Sequence, residues 1–200
     1  MNLIATAAFG VEAMVKRELT DLGYDIISTE NGRITFAGDK RDIAITNTWL
    51  RCADRVLVEI GRFKALTFDE LFEGTKDLPW EEWIPADGCF PVDGKSSRSK
   101  LFSISDCQAI VKRAIVSRLG EKYHIGHFDE DGAMYRVEVA MYNDIATISL
   151  DTTGPGLNKR GYRAAAGIAP LKETLACSIS QSFGCSSACS RHSRTSVANT

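Results

Sequence analysis

No apolar run in the chain approaches the length of a membrane span, and residues 1–4 carry neither the charged nor the apolar region of a signal peptide. A membrane or exported protein is therefore not expected, and a cytoplasmic location is. Strong net charge is lacking too: 24 Lys and Arg stand against 26 Asp and Glu, a formal charge of −2. That balance excludes a nucleic-acid coat, which needs a large cationic excess. Clustered cysteine is absent through residue 176. Cys52, Cys89 and Cys107 stand alone in apolar or mixed surroundings, which suits reduced, buried thiols.

What the chain does have is uneven charge. Residues 65–87 hold seven acids (69, 70, 73, 77, 81, 82 and 87) and one base, Lys76, a net of −6. Residues 95–122 then hold seven bases (95, 98, 100, 112, 113, 118 and 122) against Asp106 and Glu121, a net of +5. A weakly acidic protein can in this way present one cationic face, the electrostatic footprint that matters for nucleic acid.

Hydrophobic periodicity divides the chain in two. Residues 3–7 read as a strand and 10–22 as a helix with Val11, Met14, Val15, Leu19 and Leu22 on one face. Strands at 24–29 and 33–37 flank Asn31-Gly32, a hairpin turn in which both residues tolerate positive φ. A helix at 39–52 and a strand at 55–63 complete a split βαβ, ferredoxin-like unit over 1–63. A second α+β unit spans 64–153, with short helical pieces at 68–74 and 80–83, a strand at 89–92, a basic loop running into a helix by 120, and a closing hairpin at 133–142 and 144–151. A polar strip from 154 leads to a helix opened by Pro170.

The basic loop is the best candidate site. Lys95, Ser96, Ser97, Arg98, Ser99 and Lys100 deliver charge and hydroxyls to a helix N-terminus, where Ser105 and Gln108 have capping-box spacing. Ser103 can join the hydroxyl donors, and Lys112 and Arg113 follow one to two turns into the helix. Loop cations reach a phosphate backbone without entering a groove. Lys159, Arg160 and Arg163 form a second basic cluster, equally consistent with RNA contact and with packing between domains.

The run Ser99-Lys100-Leu101-Phe102-Ser103-Ile104-Ser105-Asp106, continuing through Gln108 and Lys112-Arg113, resembles the signature of the THUMP RNA-binding domain. Its version is similar to that of the bacterial THUMP-containing 23S rRNA guanine-N2 methyltransferases. Two further segments agree: Ala8-Phe9-Gly10-Val11-Glu12 with Leu22-Gly23-Tyr24, and Lys159-Arg160-Gly161-Tyr162-Arg163 with Ala169-Pro170-Leu171-Lys172-Glu173-Thr174. The resemblance covers 2–176 and implies a ferredoxin-like domain, an α/β THUMP domain and the start of a methyltransferase domain at 154–176. It also implies structured RNA as partner, 23S rRNA in particular, rather than DNA or a membrane.

The same resemblance implies S-adenosylmethionine as the cofactor of the full-length family, held at an Asp-Pro-x-Cys-Gly-Ser-Gly turn, with an Asn-Pro-Pro-Tyr loop on the target amine. Neither motif occurs in these 200 residues. Residues 177–200 contain eight Ser, three Cys, no acid and no Leu, as a reading-frame shift would produce, and are expected to be a disordered tail. The chain is thus expected to hold no cofactor and to bind RNA without methylating it.

Other residues are read more plainly. Cys185, Cys189 and His192, and His124 and His127 beside Asp129-Glu130-Asp131, have only superficial metal-site spacing. Trp80 and Trp83 are expected in the core, although they and Phe102 have the chemistry to stack on a base. Glu12 is expected to assist a helix N-terminus. Two other functions fit the same pattern: the RNA-recognition module of another RNA-modifying enzyme, such as a thiolation or deamination enzyme, and a ferredoxin-like module regulated by a small metabolite.

Overall fold

The computed structural model describes residues 1–126, 128, 131–160 and 171–182. Its first unit contains β1 (Asn2–Thr6), α1 (Glu12–Asp21), β2 (Ile26–Glu30), β3 (Arg33–Ala37), α2 (Lys40–Trp49) and β4 (Arg55–Lys64). The second contains α3 (Phe68–Lys76), a 3-10 turn (Trp80–Glu82), β5 (Val92–Ser97), α4 (Ile104–Tyr123), β6 (Val137–Tyr142) and β7 (Ile145–Asp151). A second 3-10 turn (Leu157–Lys159) and α5 (Glu173–Ser182) follow.

The two units share one seven-stranded sheet in the order β2-β3-β1-β4-β7-β6-β5. β4 makes the join. Its first half pairs with β1 and nearly its whole length with β7, both antiparallel. β5 and β6 are parallel, so α4 is the crossover that such a pair requires. Register places Leu3, Val58, Leu150 and Val137 in one cross-strand row. That row belongs to the two cores, one against α1 and one against α3 and α4, so the apolar sides of both units share one sheet face.

Among the described residues no helix of either core packs on the opposite face, although Ile4, Leu57 and Ser149 there are buried. Arg33 on β3 meets Glu138 on β6, four strands away in the order. Flat spacing would separate them by roughly 19 Å, beyond the reach of two side chains. The sheet must therefore curl toward its open side, as right-handed twist accumulating over several strands allows.

The ends of several elements differ from the sequence reading. Lys95, Ser96 and Ser97 belong to β5, not to a loop, while Cys89 makes only an isolated bridge to Met134. Propensity is overridden here because the ladder to β6 satisfies the backbone of a polar edge strand. The Ser105–Gln108 capping box does not form. α4 starts earlier, at Ile104, with Ser103 as N-cap and no side-chain cap bond. The helix expected to fail at residue 176 continues to Ser182, because Gln181 reaches Glu18 on α1 at 2.7 Å and Ser178 is buried. Residues 183–200, the rest of the expected tail, lie outside the described residues.

Candidate RNA interface

The β5 edge faces two ways. A Cβ on Gly94 would lie 2.8 Å from Ile104 and 3.0 Å from Gln108, so Gly94 faces α4 and any larger residue would force Ile104 to shift. Side chains alternate along a strand, which turns Lys95 and Ser97 to the open face. Ser96 points back and donates to the Leu101 carbonyl at 2.7 Å.

The turn after β5 is tightly held. Arg98 has φ 53, a left-handed conformation that costs energy in a non-glycine residue. Ser99 Oγ donates to the Ser97 carbonyl at 3.1 Å and accepts from the Asp144 N–H at 3.1 Å. The Lys100 N–H donates to Asp144 Oδ1 at 2.7 Å. Asp144 and Asn143 themselves have φ 62 and 50, which marks a primed turn between β6 and β7. The basic turn is thus clamped to the tip of the neighbouring hairpin rather than left free.

On the open face the two units build one concave cleft of 260 Å³. Glu30, Asn31 and Arg33 line it from the β2–β3 hairpin, Arg62 from β4, and Lys95 to Arg98 from the β5 edge. Ala140, Tyr142, Ile145 and Thr147 line it from β6 and β7. Glu138 organises the cations: Arg33 ion-pairs with one of its oxygens, and Lys95 Nζ donates to the other at 2.8 Å. Its side chain is only 9% exposed. Arg62 pairs with Glu30 at 3.1 Å, and Arg98 makes no ion pair among the described residues. Four bases against Glu30 and Glu138 leave the cleft at +2.

The other expected site residues lie elsewhere. Lys112 sits 5.5 Å from the Phe90 ring centroid and Arg113 5.0 Å from that of Phe72, both on the helical side of the sheet. Ser103 Oγ is 3.4 Å from Ser105 Oγ at the exposed start of α4, beside Phe102, which is 81% exposed. Arg160 donates to the carbonyls of Asn47 at 2.6 Å and Thr48 at 3.1 Å, satisfying the end of α2. Lys159 is exposed on the same turn. This turn adjoins the start of β4 through Leu157 N–H to Asp54 O, whereas the basic turn adjoins its end through the Ala65 N–H to Asp144 O. Ten residues of strand, about 33 Å, separate the two. Arg163 lies outside the described residues, as do His127, Asp129 and Glu130.

Trp80 is fully buried, with Nε1 donating to the Thr75 carbonyl at 2.7 Å, and Trp83 packs against both cores. Glu12 stands in the first turn of α1, as expected, and also reaches beyond it. Its carboxylate accepts from Gly10 N at 2.8 Å and Gly32 N at 2.7 Å, tying the first turn to the β2–β3 hairpin. Burial opposes its ionisation, but N–H donors from Glu12, Gly32 and Gly10 outweigh that and hold it below the usual range.

One group of metal-type ligands occurs among the described residues: Glu18, Cys52 and Cys177. Glu18 already accepts from the backbone of Arg51 and Cys52, from Arg51 Nε and from Gln181 Nε2. Burial, with the Glu18 charge beside it, pushes the Cys52 thiol up to about 12. The trio is a hydrogen-bonded seam between α1 and α5.

Residues 2–57 match the RlmL ferredoxin-like domain, and residues 65–151 match the THUMP domain. The chain carries an RlmL-type ferredoxin-like domain followed by a THUMP domain. It is 51% identical over 184 residues to the "Putative RNA methyltransferase YpsC" of Bacillus subtilis, covering 90% of this chain and 47% of that protein. The "Ribosomal RNA large subunit methyltransferase K/L" of Syntrophotalea carbinolica is 36% identical over 180 residues, covering 90% of this chain and 25% of the relative. Among solved structures, "a predicted N6-adenine-specific DNA methylase from Listeria monocytogenes" superposes with a TM-score of 0.85 at 54% identity, covering 90% of this chain and 47% of that one. The chain therefore spans less than half the length of each. Its ferredoxin-like and THUMP units are the two halves of the curled sheet, and the cleft lies where they meet.

Arg33, Arg62, Glu138 and Tyr142 were not singled out from sequence. Each sits on a strand at a position of open-face parity, but only register reveals that three separate strands bring them together.

Proposed function

We propose that this chain is the RNA-holding part of an S-adenosylmethionine-dependent methyltransferase acting on guanine N2 of 23S rRNA in the cytoplasm. One observation carries the reading: a THUMP unit and a ferredoxin-like unit each contribute cations to one concave face. Such a face binds phosphates through charge and reads RNA by shape, with little demand on base sequence. Lys95, Ser97 and Arg98 supply it from the THUMP edge and Arg33 and Arg62 from the ferredoxin-like unit. The name of the Syntrophotalea relative supports the large-subunit target.

The described residues do not fit the cofactor. A nucleotide-type site of this kind needs a glycine-containing turn between a parallel strand and its helix. The one parallel strand-helix-strand unit among the described residues, β5-α4-β6, carries Arg98, Ser99, Lys100, Leu101, Phe102 and Ser103 in that turn. No step of methyl transfer is assigned to these residues. Their contribution is to hold the RNA in place, which is where much of the advantage of bound over free reactants arises.

Filter binding to a 23S rRNA hairpin and to a DNA hairpin of the same sequence tests the proposal. Affinity for RNA is expected to exceed that for DNA and to fall steeply with salt. A preference for DNA, or a salt-independent affinity, would overturn it.

A further inference from the structure

Resting on the RNA reading above, we propose that the cleft receives one unpaired nucleotide of the RNA. Its phosphate meets the Arg33, Arg62, Lys95 and Arg98 rim, and its base lies on Tyr142 and Ile145. Three features converge on this assignment.

The first is size. At 260 Å³ the cleft falls just below the range of drug-sized ligand sites, about 300–1,000 Å³. A duplex keeps its bases stacked inside two backbones and has nothing that enters such a space, whereas an unpaired nucleotide does. The second is chemistry. The cations lie around an uncharged floor made by Ala140, Tyr142, Ile145 and Thr147. Tyr142 and Ile145 are direct cross-strand partners at the end of the β6–β7 ladder, and Tyr142 is 36% exposed. An aromatic ring beside cations is the arrangement that takes a base on its face and the attached phosphate on its flank. A site for duplex backbone alone has no use for the ring.

The third is preorganisation. Glu138 is 7% exposed and holds Arg33 from one domain and Lys95 from the other. Both cations are therefore placed before any ligand arrives, and little ordering is left for the moment of binding. Asn31 adds an exposed amide at the hairpin rim, able to donate to and accept from a base edge.

The test uses the 200-residue chain and three RNA hairpins of equal phosphate number, compared by fluorescence anisotropy at one salt concentration. One is blunt, one has a single-nucleotide bulge, and one has a short unpaired 3′ extension. The bulged RNA, the extended RNA or both are expected to bind about 5- to 150-fold tighter than the blunt one, the range of a single aromatic–base stack. The two arms distinguish an internal flip from a chain end. Tyr142→Ala is expected to remove the preference and Tyr142→Phe to keep it, each variant being verified as folded by far-UV circular dichroism. A photoreactive base at the unpaired position is expected to crosslink within residues 140–147. Equal binding of all three RNAs, or a preference that survives Tyr142→Ala, overturns the nucleotide site while leaving RNA binding intact. Failure of the chain to bind any of the three overturns the RNA reading itself.

Discussion

Removing the Glu138 charge should tighten RNA binding at low salt, which distinguishes a site governed by cleft charge from one governed by packing. Its carboxylate is shared by Arg33 and Lys95, so it screens two of the four cations at the cleft. Glu138→Gln keeps the shape and one acceptor, and it changes the cleft from four bases and two acids to four bases and one, from +2 to +3. Each further phosphate engaged steepens the dependence of log K on log salt by about 0.7 for single strands and 0.9 for duplex. One added contact over a fourfold rise in salt, from about 50 to 200 mM, therefore means about a threefold greater loss of affinity than the parent shows. Arg98→Ala removes a cation with no ion pair among the described residues and should flatten the slope by about 0.7. Lys95→Ala should flatten it by less, because Glu138 already offsets that charge. Anisotropy titrations at four or more salt concentrations supply the slopes, with far-UV circular dichroism to verify folding. If folded Glu138→Gln has the parent slope, or Lys95→Ala flattens the slope more than Arg98→Ala, the charge arrangement argued here is wrong.

Other outcomes follow from the packing. Arg160→Ala should lower stability by about 1 kcal/mol, since two α2 carbonyls lose a charged donor, and should leave the RNA salt slope unchanged; a flatter slope in chemically stable protein would return Arg160 to the RNA interface. Ile148→Ala, at a fully buried position in β7, should cost about 2–5 kcal/mol. Because β4 pairs with both β1 and β7, the loss should appear as one cooperative urea transition; two transitions of which only one moves would contradict the shared sheet. The Arg118 guanidinium beside Glu81, 2.8 Å away, holds that carboxyl below its ordinary value of 4.5. A depressed folded-state pKa contributes stability above 4.5 that is lost as pH falls through the folded value. Glu81→Gln should therefore flatten the acid side of the stability–pH profile below about 4.5 and leave its shape above pH 6 unchanged; an unaltered acid limb would refute the assignment.

Much of the molecule was legible from sequence because the informative features are local. Alternation in Val137 and Val139, the turn signal at Asn31-Gly32, and the apolar stripe through Val15 and Leu19 each act over a few residues. They placed the strands and helices of both domains to within a few residues, except β5, whose strand was expected at 89–92 and runs from Val92 to Ser97. The basic run at residues 95–100 was likewise visible, as was the burial of Trp80. The element ends that moved did so where tertiary partners outweigh propensity. Lys95-Ser96-Ser97 became strand because β6 offers a ladder, and Cys177 to Ser182 became helix because α1 offers Glu18.

The composition and local pattern by themselves determined two α+β units, their order and their cationic edge, and the resemblance of three motifs to the THUMP methyltransferases indicated their kinship. Only the tertiary structure decided that the units share one sheet, which face is left open, and which cations meet there. The physical reason is register. A strand's side chains alternate between faces, so a single residue of slip in β4 or β7 would send Arg62 and Thr147 into the core and Ile148 into solvent. Local patterns say which residues alternate; only pairing across β4 and β7, together with the curl of the sheet, sets Arg33 beside Lys95 on a shared carboxylate.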